Sequence, residues 1–459
     1  MQLPQHLIQS LRSVKGFDES AFTAAHEVPP PVSVRFNPGK MDLGDDSQLG
    51  ELMVAGQLVP TRRVPWSNAA FYLKERPVFT LDPALHAGAY YVQEASSMFL
   101  GYLLGQVLGD ARGLKVLDLC AAPGGKTTLL ASMDHFSLVL ANEIIRTRVS
   151  ILYENIVKWG DPKIFISNND PSHFMSLPGY FDVLVVDAPC SGSGLFRKDK
   201  AALEEWSEAN VAHCAERQKR ILADALPALR EGGLLVYSTC SYSPEEDEAI
   251  LDWLMGLEGL VPEMVSVPEE WGIVETDSEN GGKGYRFFPG KAEGEGFFIA
   301  CFRVTTSFGG EPSVGRKKMV IHERGAVPGA WIRQDRPVET ILAGDDVYCV
   351  PAELFEDHYS LREVLNIRKS GVRAGAMVRG EFLPDHELAL SYLVSPEAPS
   401  LELDKATALQ YLRKQAIDPS APGKGWYRVK YRQLGLGLIK HLGNRTNNYY
   451  PASWRILLY

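Results

Sequence analysis

One stretch of the chain, residues 114–131, limits the choice of fold more than any other. It begins with an apolar run at 114–119 that is typical of a buried β-strand, and it continues through small residues and two glycines. From Lys126 onward the pattern is that of a helix. A strand, a tight glycine turn and a helix N-terminus form a unit that binds anions and nucleotides, because free backbone N–H groups point at the ligand. We therefore expect this turn to hold a nucleotide-like ligand.

The turn ends in Gly-Gly-Lys-Thr-Thr, which invites comparison with a phosphate-binding loop. That motif carries a glycine five positions before its Gly-Lys-Thr, and the residue at that position here is Cys120. Asp118, at the end of the strand, would also direct a carboxylate toward a triphosphate. A nucleotide triphosphatase and an ordinary strand-to-helix turn without a ligand are the alternatives to a cofactor loop.

Further apolar runs follow the first one and alternate with helical patterns. They span residues 137–141, 163–167, 182–186, 234–237 and 296–304. This alternation predicts an α/β fold, with a parallel sheet covered by helices on both faces. Ligands of such sheets bind beyond the carboxyl ends of the strands. The residues that fall at those ends are Asp118, Glu143, Asp170, Asp187 and Cys240.

Two of these acids suit the recognition of a nucleoside. Glu143 stands about 20 residues after the glycine loop, where a carboxylate can accept hydrogen bonds from both ribose hydroxyls. A surface glutamate that caps a helix is the alternative. Asp170 can hold the adenine or the ribose, and an Asx turn before Pro171 is its alternative.

Two cysteines follow neighbouring strands of the predicted sheet. Cys190 lies in Asp187-Ala-Pro-Cys-Ser-Gly-Ser-Gly, where the proline stiffens the loop and the glycines let a substrate approach the backbone. Cys240 closes the strand at 234–237, just before Ser-Pro-Glu-Glu at 243–246, which predicts a capping box and a helix start. Peptide dipoles there favour a thiolate. The thiols suit covalent catalysis on an electron-poor ring; buried packing cysteines are the alternative, and the residues alone leave open which thiol attacks.

The length of the chain, its apolar runs and its cysteines limit the class of protein. A chain of 459 residues predicts two to four domains. It has no apolar run of 18 or more residues, and its first residues lack a basic segment followed by an apolar one. Six scattered cysteines without close pairs predict a reducing compartment and no metal site. We therefore expect a cytoplasmic protein without a membrane span.

The charge is distributed unevenly along the chain. The net charge is −10, yet residues 308–459 hold 21 Lys and Arg against 17 Asp and Glu, a net of +4. The last forty residues, 420–459, carry seven Lys and Arg and no acidic residue. Aromatic residues are interleaved with them: Trp426, Tyr427, Tyr431, Tyr449, Tyr450 and Trp454. This end is a candidate nucleic-acid surface, and a solubilising, partly basic face is the alternative.

Three motifs in this order carry a resemblance to a known family. They are Leu-Asp-Leu-Cys-Ala-Ala-Pro-Gly-Gly-Lys-Thr from 117, Asp-Ala-Pro-Cys-Ser-Gly from 187 and Ser-Thr-Cys-Ser from 238. Together they resemble the Nol/Nop/Sun family of RNA 5-methylcytosine methyltransferases. Gln-Glu-Ala-Ser-Ser-Met from 93 and Arg-Phe-Phe-Pro from 286 with Gly-Phe-Phe from 296 fit the same family. The resemblance covers about residues 30–305, and the C-terminal half more weakly resembles the bacterial RsmF-like rRNA enzymes, which end in PUA-like modules.

The resemblance implies a Rossmann-like class I methyltransferase fold. This is a mostly parallel seven-stranded sheet with helices on both faces, an N-terminal appended domain and small β-rich, PUA-like C-terminal domains. The predicted units are an N-terminal RNA-binding domain at 1–90, a catalytic domain at 91–306, a linker at 307–330, a small α/β domain at 331–395 and a basic PUA-like domain at 396–459.

The resemblance also implies roles for individual residues. Cys240 would be the nucleophile, Cys190 would help to release the product, and Asp187, once protonated, would stabilise N3 of the base. Lys126 and the Arg197–Lys198 pair would hold phosphate or the base edge, although a solvated surface is the alternative for the pair. The residues implied to bind S-adenosylmethionine or frame its pocket are Cys120, Ala121, Ala122, Pro123, Gly124, Gly125, Lys126, Glu143, Asp170 and Asp187.

The activity implied is methylation of C5 of a cytosine in RNA, with S-adenosylmethionine as the methyl donor. The implied substrate is 16S rRNA near the decoding region, either as free RNA or within the 30S subunit or an assembly intermediate, acted on by a monomer. A transfer RNA methyltransferase and a non-catalytic RNA-binding assembly factor are the alternatives.

Overall fold

The computed structural model of the protein describes residues 3–309 and 327–458. The chain begins with a small sheet and four helices. The helices are α1 (Gln5–Leu11), α2 (Glu19–His26), α3 (Asp46–Gly56) and α4 (Pro83–His86), and the strands are β1 (Val32–Phe36), β2 (Pro60–Arg63), β3 (Ala70–Leu73) and β4 (Tyr90–Val92), paired in the order β2-β3-β1-β4. The helical pattern at 3–22 is therefore split between two helices. The first helix ends before Gly16, whose φ is +75°, and Asp18 caps the second by accepting a hydrogen bond from the Ala21 N–H.

The central sheet follows. Its strands in this part of the chain are β5 (Leu114–Asp118), β6 (Phe136–Asn142), β7 (Ile164–Ser167), β8 (Phe181–Asp187), β9 (Leu229–Thr239), β10 (Leu260–Glu263), β11 (Val274–Asp277), β12 (Lys283–Phe287) and β13 (Phe297–Val304). Its helices are α5 (Phe99–Leu108), α6 (Gly125–Ala131), α7 (Arg146–Trp159), α8 (Lys200–Glu205), α9 (Glu208–Ala225) and α10 (Glu248–Met255). The helical pattern at 91–108 begins with the end of strand β4, and only its second half is helix α5.

The C-terminal part adds two four-stranded sheets. Its elements are β14 (Val338–Ala343), β15 (Asp346–Pro351), α11 (Phe355–Val364), β16 (Ile367–Lys369), β17 (Val372–Val378), β18 (Glu381–Pro384), α12 (His386–Leu390), β19 (Ser400–Glu402), α13 (Lys405–Leu412), β20 (Gly425–Tyr431), β21 (Leu434–His441) and β22 (Thr446–Asn448). The sheets have the orders β14-β15-β17-β18 and β19-β20-β21-β22. Most of the predicted linker at 307–330 lies outside the described residues, which resume at 327.

The central sheet confirms the α/β prediction but is larger than expected. Strands β7, β6, β5, β8 and β9 are neighbours in that order and run parallel; β13 follows antiparallel to β9, and β12 pairs antiparallel with β13 and so runs in the direction of the first five. The seven predicted strands are thus extended to ten. Strands β10 and β11 add to the antiparallel end, and β16 arrives from the C-terminal part to pair with the edge strand β7. An open sheet leaves unpaired backbone groups at its edges, and these strands satisfy them.

The sheet is covered on both of its faces, as predicted. Consecutive residues of β5, Val116 and Leu117, are fully buried in two different apolar clusters, because side chains alternate between the faces of a strand. Helices α5, α6 and α7 contribute to the first cluster, and helices α9 and α10 contribute to the second. No helix in the described part of the chain is long and apolar enough to cross a membrane.

The first and last sheets of the chain share one apolar core. Phe36 and Tyr90 of the N-terminal part belong to the same buried cluster as Tyr411 and Leu436 of the C-terminal part. Lys405 donates a hydrogen bond to the carbonyl of Ala55 across the same junction, at 2.8 Å. The two ends of the chain are therefore packed together.

Three of the six aromatic residues at the C-terminal end are buried, which corrects part of the predicted nucleic-acid surface. Tyr427 and Tyr431 are buried because strand alternation turns their rings inward, and Tyr450, beyond the last strand, packs in the same apolar cluster. Trp426 and Tyr449 remain partly exposed and pack against each other, with ring centroids 4.4 Å apart.

Candidate active site

The cofactor loop of residues 120–125 is held rigidly between strand β5 and helix α6. Gly124 has a φ of +111°, a conformation that side chains disfavour, and it forms the N-cap of α6. Helix α7 anchors two carbonyls of the loop: Arg148 donates to the oxygen of Ala122 at 2.6 Å, and Asn155 donates to that of Pro123 at 2.8 Å. The backbone of the loop is therefore set by contacts that the sequence motif itself does not contain.

Asp118 lies buried beneath this loop at the carboxyl end of β5. Its Oδ2 accepts a hydrogen bond from the Thr127 hydroxyl at 2.6 Å. Burial raises the pKa of Asp118 to about 7, and the charges of Asp187 and Glu143 add to the rise. The three carboxylates therefore lie close enough to interact, as we predicted from their positions at the carboxyl ends of parallel strands.

The remaining two acids behave differently from each other. Glu143, 2% exposed after strand β6, accepts a hydrogen bond from the Ile145 N–H and lies 3.4 Å from Arg148. Asp170 accepts hydrogen bonds from the amide and the hydroxyl of Ser172 and caps the turn that follows, which lowers its pKa. It makes the Asx turn that was the alternative for this residue, whereas Glu143 faces the site.

The loop and its acids fit S-adenosylmethionine. Asp118 Oδ1 and Glu143 Oε2 are buried carboxylate oxygens that accept no hydrogen bond from the described residues, although Arg148 lies 3.4 Å from the second. Ribose hydroxyls and an ammonium group are donors, so a bound nucleoside with an amino acid tail would satisfy these oxygens. No group of three or more His, Cys, Asp and Glu that could hold a metal ion occurs in the described ranges.

Lys126 connects the cofactor loop to the end of strand β8. Its ammonium lies 2.8 Å from Asp187 Oδ2 and 4.9 Å from the ring centre of Phe297. Ser238 donates a hydrogen bond to the other oxygen of Asp187 at 2.9 Å. The structure thus brings together three of the sites that the sequence predicted separately, at residues 126, 187 and 238.

The two predicted catalytic cysteines are in contact. Their sulfur atoms lie 3.1 Å apart, and both side chains are partly exposed. The Gly194 N–H donates to the carbonyl of Cys240 at 2.7 Å and closes the Cys190 loop onto the Cys240 loop. The hydrogen bond with Cys240 and burial raise the pKa of Cys190 above its usual range.

The other cysteines are unsuited to nucleophilic attack. Burial raises the pKa of Cys120 above its usual range, and it raises the pKa of Cys301 and of Cys349 to about 12. Cys214 lies in helix α9, and burial raises its pKa as well. A thiol with a raised pKa forms little thiolate, which disfavours nucleophilic attack by any of these four cysteines.

The predicted capping box at 243–246 is wrong in part. A short 3-10 helix does begin at Pro244, but Ser243 makes no capping hydrogen bond, and the carboxylate of Glu246 accepts from Ser191 instead. For the Arg197–Lys198 pair, the alternative of a solvated surface does not hold for Arg197, whose side chain is 5% exposed and lies 3.7 Å from Glu295, whereas Lys198 is exposed.

Arg35 is a site residue that the sequence reasoning missed. It lies on strand β1 of the N-terminal part and is 1% exposed. It donates to Gln93 Oε1 at 2.8 Å, to the Thr128 hydroxyl at 2.6 Å and to the Gly125 carbonyl at 3.3 Å, and so holds the first turn of α6. The signal available in the sequence was a lone charge within the apolar strand 32–36.

A parallel sheet of this order that ends in the antiparallel strand β13, with a glycine loop after its first strand and an acid after its second, fits a Rossmann-like methyltransferase of class I. Family models agree over most of the chain. The model of the 16S rRNA methyltransferase RsmB/F matches residues 106–303, the N-terminal domain of 16S rRNA methyltransferase RsmF matches 3–95, and the methyltransferase RsmF PUA domain matches 398–456.

Individual proteins agree as well. The ribosomal RNA small subunit methyltransferase F of Salmonella arizonae is 30% identical over 96% of this chain and 94% of its own. That of Salmonella paratyphi B is 29% identical over the same shares. The crystal structure of a methyltransferase homolog protein from Pyrococcus horikoshii is 28% identical, with a TM-score of 0.55 over 66% of this chain and 95% of that one. The chain belongs to the family of ribosomal RNA small subunit methyltransferase F, and it is an RNA methyltransferase that uses S-adenosylmethionine.

Proposed function

We propose that this protein methylates C5 of a cytosine in 16S rRNA through a covalent bond between Cys240 and C6 of the base. The observation that carries the proposal is the contact between the Cys190 and Cys240 sulfurs, 3.1 Å apart, beside the ion pair of Lys126 and Asp187. Addition to a pyrimidine ring needs a nucleophilic thiol, and a second thiol in contact with it can assist the release.

In the first step the Cys240 thiolate bonds to C6. The electrons of the C5–C6 double bond move toward the ring carbonyl and N3, and C5 becomes enamine-like. Asp187, after it takes up a proton from water, donates a hydrogen bond to N3, and the ammonium of Lys126 offsets the negative charge that develops there. The base must leave its stack in the RNA for C6 to reach the sulfur.

Bound S-adenosylmethionine supplies the electrophilic methyl group. The residues implied to bind it are those of the loop, Cys120 to Lys126, together with Glu143, Asp170 and Asp187. Glu143 suits the ribose, because one of its carboxylate oxygens accepts no hydrogen bond from the described part of the chain. Lys126 stands between the cofactor loop and the base, and so aligns donor with acceptor.

In the last step water accepts the proton from C5, the C5–C6 double bond re-forms and the bond to Cys240 breaks. Cys190 assists this release. Its sulfur lies 3.1 Å from that of Cys240, so its S–H group can donate a hydrogen bond to the departing sulfur. The resemblance of the motifs supports assigning the attack to Cys240 and the release to Cys190.

The roles can be separated by trapping on RNA that contains 5-fluorocytosine. Cys240→Ala should form no covalent complex and no product, and Cys190→Ala should accumulate a covalent RNA adduct on ordinary RNA. Cys214→Ala, which removes a thiol from helix α9, is the control and should resemble the unaltered protein. A covalent complex with Cys240→Ala would overturn the assignment of the nucleophile.

The proposed rRNA target rests on the family and on the charge of the chain's end. The relatives are named for the RNA of the small subunit, and residues 420–459 carry seven basic and no acidic residues. We propose that the modified cytosine lies near the decoding region and that the enzyme acts as a monomer in the cytoplasm. Bisulfite mapping of rRNA and tRNA from cells with and without the protein tests this: loss of a 16S site supports it, and loss of a tRNA site instead overturns it.

A further inference from the structure

Glu246 is a buried carboxylate that the mechanism above does not use. It is fully buried, and it accepts four hydrogen bonds. Its Oε1 accepts from the Ser191 N–H at 2.8 Å and from the Gln218 amide at 3.1 Å. Its Oε2 accepts from the hydroxyls of Ser191, at 2.5 Å, and Ser241, at 2.6 Å.

The partners of this carboxylate have a special place in the chain. Ser191 directly follows Cys190, and Ser241 directly follows Cys240. The loops that carry the two thiols are 50 residues apart in sequence, and Glu246 joins them through the residues next to the sulfurs. We propose that Glu246 is the positioning residue that sets the distance between the two thiols, an inference that rests on the proposed function of those thiols.

The surroundings of Glu246 support a role in geometry. The Tyr237 hydroxyl donates to the backbone carbonyl of Glu246 at 2.6 Å and lies 2.9 Å from Gln218 Oε1. Both Tyr237 and Gln218 are fully buried, so the carboxylate is itself held in place. Burial raises the pKa of Glu246, and the hydrogen bonds from Ser191 and Ser241 oppose that rise.

Replacing Glu246 by glutamine tests whether the tie between the two loops or the negative charge of the carboxylate is what matters. In Glu246→Gln the amide oxygen of the new side chain can still accept from the Ser191 N–H and from Gln218. The new NH₂ group would face the two serine hydroxyls, which can rotate to accept, and Ser241 could then donate to the Ser193 hydroxyl 3.3 Å away. Glu246→Gln therefore keeps the tie between the loops without the charge, whereas Glu246→Ala removes both.

The test compares methyl transfer by three variants at saturating S-adenosylmethionine and RNA. Glu246→Ala should lower kcat about 100-fold, because a displacement of reacting groups by about 1 Å has that effect. Glu246→Gln should recover most of the loss, to within about tenfold of the unaltered enzyme. Glu245→Ala, at the exposed neighbour in the same turn, is the control and should leave kcat and the affinity for S-adenosylmethionine unchanged.

A second readout does not depend on activity. Diamide oxidises a pair of adjacent thiols to a disulfide, and it takes up the two protons and two electrons that they lose. If Glu246 holds the sulfurs in contact, the Cys190–Cys240 disulfide should form about tenfold more slowly in Glu246→Ala than in the unaltered protein and in Glu246→Gln. Peptide mapping of the disulfide measures this rate.

The two readouts distinguish failure of the positioning role from failure of the proposed function. If the unaltered protein transfers no methyl group to cytosine, the proposed function fails, while the oxidation rates still test the spacing. If it is active and Glu246→Ala keeps kcat and the oxidation rate within about twofold, the positioning role is overturned. Equal losses in Glu246→Ala and Glu246→Gln would also overturn it, in favour of a role for the charge. If Glu246→Ala fails to fold, the double variant Ser191→Ala, Ser241→Ala takes its place, and an unchanged rate in that variant overturns the inference.

Discussion

Lys126 and Asp187 form an ion pair, 2.8 Å long, that joins the cofactor loop to the end of strand β8. The lysine is 12% exposed and the aspartate 35% exposed, so the pair is partly accessible to solvent. Their contact makes one unit of two motifs about 60 residues apart in the sequence.

Replacing Lys126 by methionine should therefore impair chemistry more than folding. Lys126→Met keeps the length of the side chain but removes the charge that would face the reacting ring. We expect kcat for methyl transfer to fall about 100-fold, the typical loss when one electrostatic contact to a transition state is removed. Steady-state kinetics at saturating cofactor measures it. The control is Lys219→Met, which breaks another 2.8 Å ion pair, with Glu216 on helix α9; similar rates in the two variants would contradict the prediction.

Gly194 should be intolerant of a side chain. A Cβ atom there would lie 2.5 Å from the carbonyl oxygen of Cys240 and 2.7 Å from that of Gly296. Gly194→Ala should push the Cys190 and Cys240 loops apart and lower kcat by about 100-fold. Gly105→Ala, in helix α5 with nothing within 4 Å, should retain activity and gain up to about 1 kcal/mol of stability. Full activity of Gly194→Ala would show that the loops have room to move.

Arg35 should couple the N-terminal part to cofactor binding. Arg35→Met leaves buried acceptors on Gln93 and Thr128 unpaired and should cost at least about 1.5–3 kcal/mol of unfolding free energy. We also expect weaker binding of S-adenosylmethionine, because the first turn of α6 loses its support. Denaturant unfolding and calorimetric titration measure the two effects. Arg63→Met, at an exposed arginine over the ring of Phe71, should cost less than about 1 kcal/mol and leave cofactor affinity intact.

Asp118 should make the stability of the cofactor-free protein depend on pH. In the folded protein its pKa is about 7, whereas in an unfolded chain an aspartate loses its proton near pH 4. Between these values the folded state binds more protons than the unfolded state, so this group lowers the unfolding free energy as the pH rises, by at most about 1.4 kcal/mol per pH unit. Asp118→Asn removes this loss and can still accept the hydrogen bond from Thr127. Measuring the unfolding free energy of both proteins at pH 5 and pH 8 tests the prediction. The stability of the variant relative to the unaltered protein should be greater at pH 8 than at pH 5. An equal difference in unfolding free energy at the two pH values would exclude the prediction.

Some of the molecule was predictable because it depends on local pattern. The strands at 114–118 and 181–187 lie almost where their apolar runs predict, since a buried strand must be apolar on both faces. Because parallel strands end on the same edge of the sheet, the acids that follow them were expected to meet, and Asp118, Glu143 and Asp187 do. Asp170 instead forms an Asx turn, because a residue close to it in the sequence supplies the hydrogen-bond donor.

The rest was decided by contacts between distant segments. The motif at 243–246 predicted a capping box, but packing of the two cysteine loops gave Glu246 better donors on Ser191 and Gln218 than its own turn could offer. Strand β16 completes the edge of the central sheet from nearly two hundred residues away, and Arg35 reaches helix α6 from a different sheet. By itself the sequence determined the α/β class, the cofactor loop and the identity of the two thiols, because these rest on periodicity and short motifs. Only the tertiary structure placed the thiols 3.1 Å apart and gave the loops their buried supports, because a buried polar group takes whichever partner the packed chain brings to it.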